Sequence, residues 1–211
     1  MVTDYARNLP HWQPEGKALF ITWRLWGTLP ASSWNRIKAR LNARMTAEGQ
    51  PGKQKARGQE CPRHLAPSAG EYFAAMDRLL DRCGTGVAWL SDERVARAVV
   101  DSLRRGDELQ HYRLHAFVLM PNHVHILIQP HREAIHSLKV LKGSSARAAN
   151  KILHRTGQPF WQDESFDHWV RSGAEFERIR RYIEQNPVKA GFVAQAENWP
   201  WSSAGKIPAQ P

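Results

Sequence analysis

The stretch His115-Ala-Phe-Val-Leu-Met-Pro-Asn-His123-Val-His125-Ile-Leu-Ile-Gln129 reads as two strands folded on a tight turn. An apolar strand covers Tyr112 to Met120, Pro121 and Asn122 suit the two central turn positions, and the chain returns through His123 to Gln129. Strands joined so closely are antiparallel. Because side chains alternate along a strand, His123 and His125 share one face and Val124 points to the other. Two imidazoles on one face can share a metal ion, although an isolated pair is more often simply hydrogen-bonded. The pair needs a third ligand.

Outward from this hairpin, strands and helices interleave. Lys17 to Gly27 (KALFITWRLWG) is β-branched and aromatic and is expected to be a strand, followed by a helix from Ser32 or Ser33 to about Met45. Glu71 to Arg82 carries apolar residues at helical spacing. Ser91 is expected to cap a stronger helix with Val95, Val99 and Leu103 four apart. After the hairpin, a long helix runs from Ala134 to about His154 with Ile135, Leu138, Leu141 and Ile152 inward. Phe160-Trp161 and Asp167 to Arg171 suggest a loop leading to a short strand. Ser172 and Glu175 form a capping box that opens a helix bearing Phe176, Ile179, Tyr182 and Ile183, which Asn186-Pro187 ends. Trp199 to Ser203 can cover one edge of the core. The expectation is an α+β fold, helices packed on an antiparallel sheet.

The 211 residues are expected to form a single domain, 1–211, with a Gly-, Pro- and charge-rich insertion at 49–70 and a short tail at 204–211. Lysine and arginine number 30 against 20 acidic residues, a net charge of +10 that points to a polyanionic partner, most commonly nucleic acid. No apolar run is long enough to span a membrane and no secretory signal is visible, so no membrane association and a cytoplasmic, nucleoid-associated location are expected. Cys61 and Cys83 form no recognisable motif, in keeping with a reducing compartment.

The last helix offers the third ligand. Tyr182 and Asn186 are four apart and so neighbour each other on one helix face. An amide oxygen can join two imidazoles in a site suited to Mg²⁺ or Mn²⁺, with phosphate oxygens and water filling the rest, and a phenol can sit beside it. Tyr182 also fits an ordinary buried stripe with Phe176, Ile179 and Ile183. Six of the ten histidines fall between 111 and 136; all but the pair are read as spectators.

These residues carry a family resemblance. HAFVLMPNHVHILI (115–128), LKG (141–143), FWQ and FDHWVR (160–171), FERIRRYIEQNPVKAGFV (176–193), the leading LPHWQPEGKALFITWRLWGTLP (9–30) and the closing WPWSS (199–203) together resemble the HUH-type single-tyrosine transposases, most closely the REP-associated tyrosine transposases. The resemblance implies a ferredoxin-like α+β sandwich, a divalent ion held by His123, His125 and Asn186, and Tyr182 as nucleophile. It implies a metal-dependent single-strand DNA endonuclease and strand transferase working through a 5′-phosphotyrosine, on hairpin DNA of the REP type. It leaves open monomer or homodimer, and so a tyrosine acting within its own chain or across a dimer.

For DNA contact, Lys139, Lys142, Arg178, Arg180 and Arg181 are candidates toward phosphate, Trp161 toward stacking on unpaired bases, and His168 toward DNA or a ligand. Trp161 and Trp169 are also candidate core residues, and His168 a candidate structural histidine. A relative that binds nucleic acid without cutting it is the alternative reading of function; a hydrolase of small phosphoesters fits the charge less well.

Overall fold

The computed structural model describes residues 2–6, 10–14, 16–28, 77–78, 80–81, 86–131 and 134–206. By its internal contacts the chain divides into two compact units, 1–28 with 86–211, and 29–85. In the second, Asp77, Arg78, Leu80 and Asp81 are described, all helical, within the helix expected over 71–82. The helix expected over 32–45 and the insertion at 49–70 lie outside the described residues.

The first unit opens with an antiparallel hairpin, β1 (Val2–Ala6) and β2 (Pro10–Pro14). It then runs β3 (Leu19–Leu25), α1 (Glu93–Glu108), β4 (Tyr112–Leu119), β5 (His123–Pro130), α2 (Ala134–Ile152), β6 (Trp161–Trp169), α3 (Gly173–Glu184) and the short α4 (Asn186–Lys189). Four strands form one sheet in the order β4-β5-β3-β6, every neighbouring pair antiparallel. The β-α-β-β-α-β order with this strand arrangement is the ferredoxin-like topology.

The central hairpin closes on the expected turn, with the Met120 amide donating to the His123 carbonyl at 2.9 Å. β3 is the strand expected over 17–27, though β1 and β2 precede it where it was expected to come first, and Gly27, at φ +79°, makes the turn that ends it. One face of the sheet is the core. Ile21, Trp23, Leu25, Val124, Ile126 and Ile128 cluster with Val95, Val99 and Leu103 of α1 and Leu138 and Leu141 of α2. Each such side chain, fully withdrawn from water, contributes about 1.5–3 kcal/mol.

Three elements differ from expectation. α1 is capped by Asp92, which accepts the Arg94 amide at 2.9 Å, because Ser91 ends a preceding single turn of 3₁₀ helix, Trp89–Ser91. β6 is a continuous nine-residue strand rather than a loop and a short strand. It lies at the sheet edge, where polar residues such as Gln162 and Asp163 are tolerated and blur the strand pattern. The β1–β2 hairpin was not anticipated.

The opposite sheet edge, along β4, is covered as expected by the C-terminal segment. Leu119 donates to the Trp201 carbonyl and Ser203 to the Phe117 carbonyl, and Val118 bridges Ser202. Among the described residues no helix is long and apolar enough to cross a membrane.

Candidate active site

The second face of the sheet holds the histidines. In register, Thr22 of β3 stands opposite His125 and Arg24 opposite His123, while Phe20 stands opposite His168 of β6. Residues directly opposite share a face, so Phe20, Thr22, Arg24, His123, His125 and His168 form one surface. α3 packs on this side, with the Phe176 ring edge-on to His115, 4.9 Å between centroids.

Both imidazoles are fully buried. The Nδ1 of His123 lies 2.6 Å from the Asn122 side-chain oxygen, which fixes the proton on Nδ1 and leaves a lone pair on Nε2. The Nδ1 of His125 lies 2.6 Å from the Thr22 hydroxyl, a group that donates or accepts and so serves either tautomer. The two Nε2 atoms face each other at 3.1 Å. Asn122 and Thr22 were missed in the sequence: one was read only as a turn residue, the other as one more β-branched residue in a strand.

Asn186 reaches this point from the C-terminal helices. α3 stops at Glu184, and Asn186 begins a separate turn, α4, with Pro187 in its first positions. The Asn186 amide lies 3.4 Å from His125 Nε2 through its nitrogen, and its buried oxygen has no hydrogen-bond partner among the described residues. Rotating the amide by half a turn exchanges the two atoms at little cost in shape. Two imidazole nitrogens and an orphaned amide oxygen in one buried spot are a donor set that fits Mg²⁺ or Mn²⁺. The 3.1 Å between the two Nε2 atoms is close enough for both to face one ion.

Tyr182 borders the same spot. Its ring centroid is 5.8 Å from that of His125 and 6.0 Å from that of Phe20, and Phe20 in turn stacks on His125 at 5.7 Å. The Lys189 ammonium lies 4.3 Å from the centre of the Tyr182 ring. A phenol, two imidazoles and an amide from a strand and two helices therefore meet within one chain.

The candidate DNA contacts divide. Trp161 is 7% exposed, edge-on to Trp23 and Phe160, and its indole N–H donates to Ser145 Oγ at 3.0 Å. It is a core residue and does not offer a stacking surface, which corrects the expectation. Lys142 donates to the carbonyls of Gln162 and Asp163 at 2.7 and 2.9 Å, tying α2 to β6, so its ammonium is committed to backbone and not to phosphate. Lys139 is exposed on α2, and Arg178 and Arg181 are exposed on α3. Arg180 is held between Glu177 and Glu184.

His168 lies 3.1 Å from Glu175 through Nε2. Glu175 also accepts the Arg171 amide at 2.7 Å, while its own amide donates to Ser172 Oγ at 3.2 Å, so the expected capping box forms with Arg171 in place of the Ser172 amide. Burial pushes the Glu175 carboxyl up, but the Arg171 N–H, His168 and the Arg171 charge together outweigh it and leave it below its ordinary value.

Residues 87–186 match the family described as Transposase IS200 like. A Haemophilus influenzae protein described as a REP-associated tyrosine transposase is 28% identical over 99 residues, 42% of this chain and 56% of that protein. The REP-associated tyrosine transposase of Escherichia coli K12 is 30% identical over 95 residues, 44% of this chain and 54% of that protein. The chain thus spans about half the length of the curated relatives it matches. The solved structure of a REP-associated tyrosine transposase bound to a REP hairpin superposes with a TM-score of 0.51 at 13% identity, covering 94% of this chain and 82% of that one. At that identity the likeness speaks for the fold alone. Over residues 87–186 the chain is thus similar to the IS200-like transposases, and it resembles REP-associated tyrosine transposases in sequence over part of its length and in fold.

Proposed function

We propose that the chain is a metal-dependent single-strand DNA endonuclease and strand transferase in which Tyr182 is the nucleophile. The observation that carries this reading is the meeting of Tyr182 with His125 and Asn186 on the buried histidine pair. His123, His125 and Asn186 would hold a divalent ion, which when bound supplies charge neutralisation at a phosphate and orients it.

Asn122 and Thr22 fix the two imidazole rings from behind, so the ligand atoms are set before any ion arrives. Phe20 stacks on His125 and abuts Tyr182, excluding water from between them. The phenol oxygen of Tyr182 attacks the scissile phosphorus in line. A bond forms from that oxygen to phosphorus, the bond to the 3′ oxygen breaks, the phenol proton passes to solvent and the 3′ oxygen is protonated. The product is a 5′-phosphotyrosine with a free 3′-hydroxyl, whose phosphodiester is conserved for rejoining.

Because the ring contacts lie within one chain, the tyrosine acts in cis in this reading. Hairpin DNA is proposed as the partner because one neighbour in fold is described as bound to a REP hairpin, and because the chain carries a net +10 charge. Lys139, Arg178 and Arg181 are the proposed phosphate contacts, and His168 lies on the site face against Glu175.

End-labelled single-stranded hairpin DNA incubated with the protein and Mn²⁺ is expected to yield a covalent adduct that denaturing electrophoresis retains. Tyr182→Phe is expected to yield none. An adduct that persists in that variant sinks the mechanism.

A further inference from the structure

The four residues of α4 carry two polar side chains that both reach the candidate site. Asn186, its first residue, approaches His125, and Lys189, its last, sets its ammonium 4.3 Å from the centre of the Tyr182 ring. The placement follows from the local sequence. α3 gives way at Gln185, Pro187 is accommodated in the first positions of a new turn, and the Lys189 and Ala190 amides donate to the Gln185 and Asn186 carbonyls at 3.0 Å. Gly191, at φ +77°, then turns the chain away, its amide on the Val188 carbonyl.

We propose that Lys189 is a positioning residue for Tyr182, its ammonium holding the face of the phenol ring over the histidine pair while Phe20 and His125 hold its other sides. The proposal rests on the reading of Tyr182 as nucleophile and adds a residue to it. A phenol on a half-buried helix has two χ angles to fix. Phe20 and His125 meet the ring at interplanar angles of 87° and 66°, which restricts it from those sides. The cation bears on the electron-rich face, an attraction that deepens when the ring oxygen gains negative character or a phosphate. Lys189 is itself exposed, so the contact is reached from solvent. A backbone phosphate attached to Tyr182 would thus find a cation already in place.

The chain has four tyrosines, so ring-¹³C-tyrosine labelling gives a simple aromatic spectrum in which Tyr182→Phe identifies the Tyr182 signal. In Lys189→Met that signal is expected to shift while the Tyr112 signal does not. The rate of adduct formation at saturating hairpin DNA is expected to fall about tenfold, the worth of a cation–π contact that tightens in the transition state, with hairpin affinity within about twofold of the parent. Lys189→Arg is expected to restore both signal and rate. An unmoved Tyr182 signal, a moved signal with an unchanged rate, or a Lys189→Arg variant as impaired as Lys189→Met overturns the proposal. Should the parent protein form no adduct with any divalent ion, the proposed function fails, and the spectrum alone decides whether Lys189 positions the ring.

Discussion

His123 and His125 present their Nε2 atoms to each other at 3.1 Å, each ring anchored from behind through Nδ1. His123 Nε2 carries a lone pair, and His125 Nε2 meets it either with a proton or with a second lone pair that a cation between them would satisfy. The pair is therefore a site whose stability depends on what occupies it. Mn²⁺ titrated into the protein is expected to raise its melting temperature, by an amount equivalent to about 2.7 kcal/mol at a hundred times the dissociation constant. The shift is expected to vanish in His123→Ala and in His125→Ala. Calorimetric scans with and without Mn²⁺ check this, and an equal shift in either variant would place the ion elsewhere.

Thr22 acts on the same chemistry from one residue further back. Thr22→Val keeps the shape of the side chain but leaves His125 Nδ1 without its 2.6 Å partner, so the imidazole loses orientation. Mn²⁺ affinity by isothermal titration is expected to fall about 10- to 100-fold, the usual cost of losing a group that orients a metal ligand. Unchanged affinity would show that packing against Phe20 suffices to hold the ring.

How far the sequence foretells this site depends on which residues are asked. The hairpin, its turn and the shared face of His123 and His125 were legible because alternation in a strand is a property of the backbone. The antiparallel α+β class followed from the short turn and the flanking helices, whereas the ferredoxin-like arrangement came from the family resemblance. Thr22 was not legible, since its partner is 103 residues away and only strand register brings them together. Trp161 and Lys142 were misread for a common reason: composition shows that a side chain can stack or carry charge, but not that Ser145 or two carbonyls of β6 have already engaged it. β6 was blurred because an edge strand carries polar residues that an interior strand excludes.

Glu175 gives a pH dependence with a definite sign. Its folded carboxyl lies below the ordinary value of 4.5 despite the opposing effect of burial, so ionisation is favoured by folding. That stability is present in full above the unfolded value and is lost as pH falls through the folded one. The stability of Glu175→Gln from urea unfolding is expected to lie below the parent at pH 7 by about 1 kcal/mol and to converge with it as the pH falls through the lowered folded value. Parallel curves at all pH values would show that the carboxylate charge is not what His168 and the Arg171 amide recognise.

Gly106 on α1 faces Tyr112 so closely that a Cβ there would come within 2.8 Å of a ring carbon and closer still to the hydroxyl. Tyr112 is fully buried and donates to the Leu103 carbonyl at 2.8 Å, and burial pushes its phenol up, so it stays neutral and fixed. The ring cannot yield without breaking that bond. Gly106→Ala is expected to destabilise the protein by about 1–3 kcal/mol, as overpacking does, outweighing the gain in helix propensity of about 1 kcal/mol. Equilibrium urea unfolding measures it, and a more stable variant would mean that α1 shifts freely over β4.

Lys139 and Lys142 lie three apart on α2 yet are expected to behave differently toward DNA. Lys139 is exposed, so Lys139→Ala should weaken hairpin binding and reduce the slope of log affinity against log salt by about 1, the signature of one lost phosphate contact. Lys142 spends its ammonium on the Gln162 and Asp163 carbonyls, so Lys142→Ala should lower the melting temperature and leave the salt slope unchanged. Fluorescence anisotropy across a salt series separates the two effects. A reduced slope in Lys142→Ala would mean that DNA draws this lysine away from β6, and the tie between α2 and the edge strand would then loosen on binding.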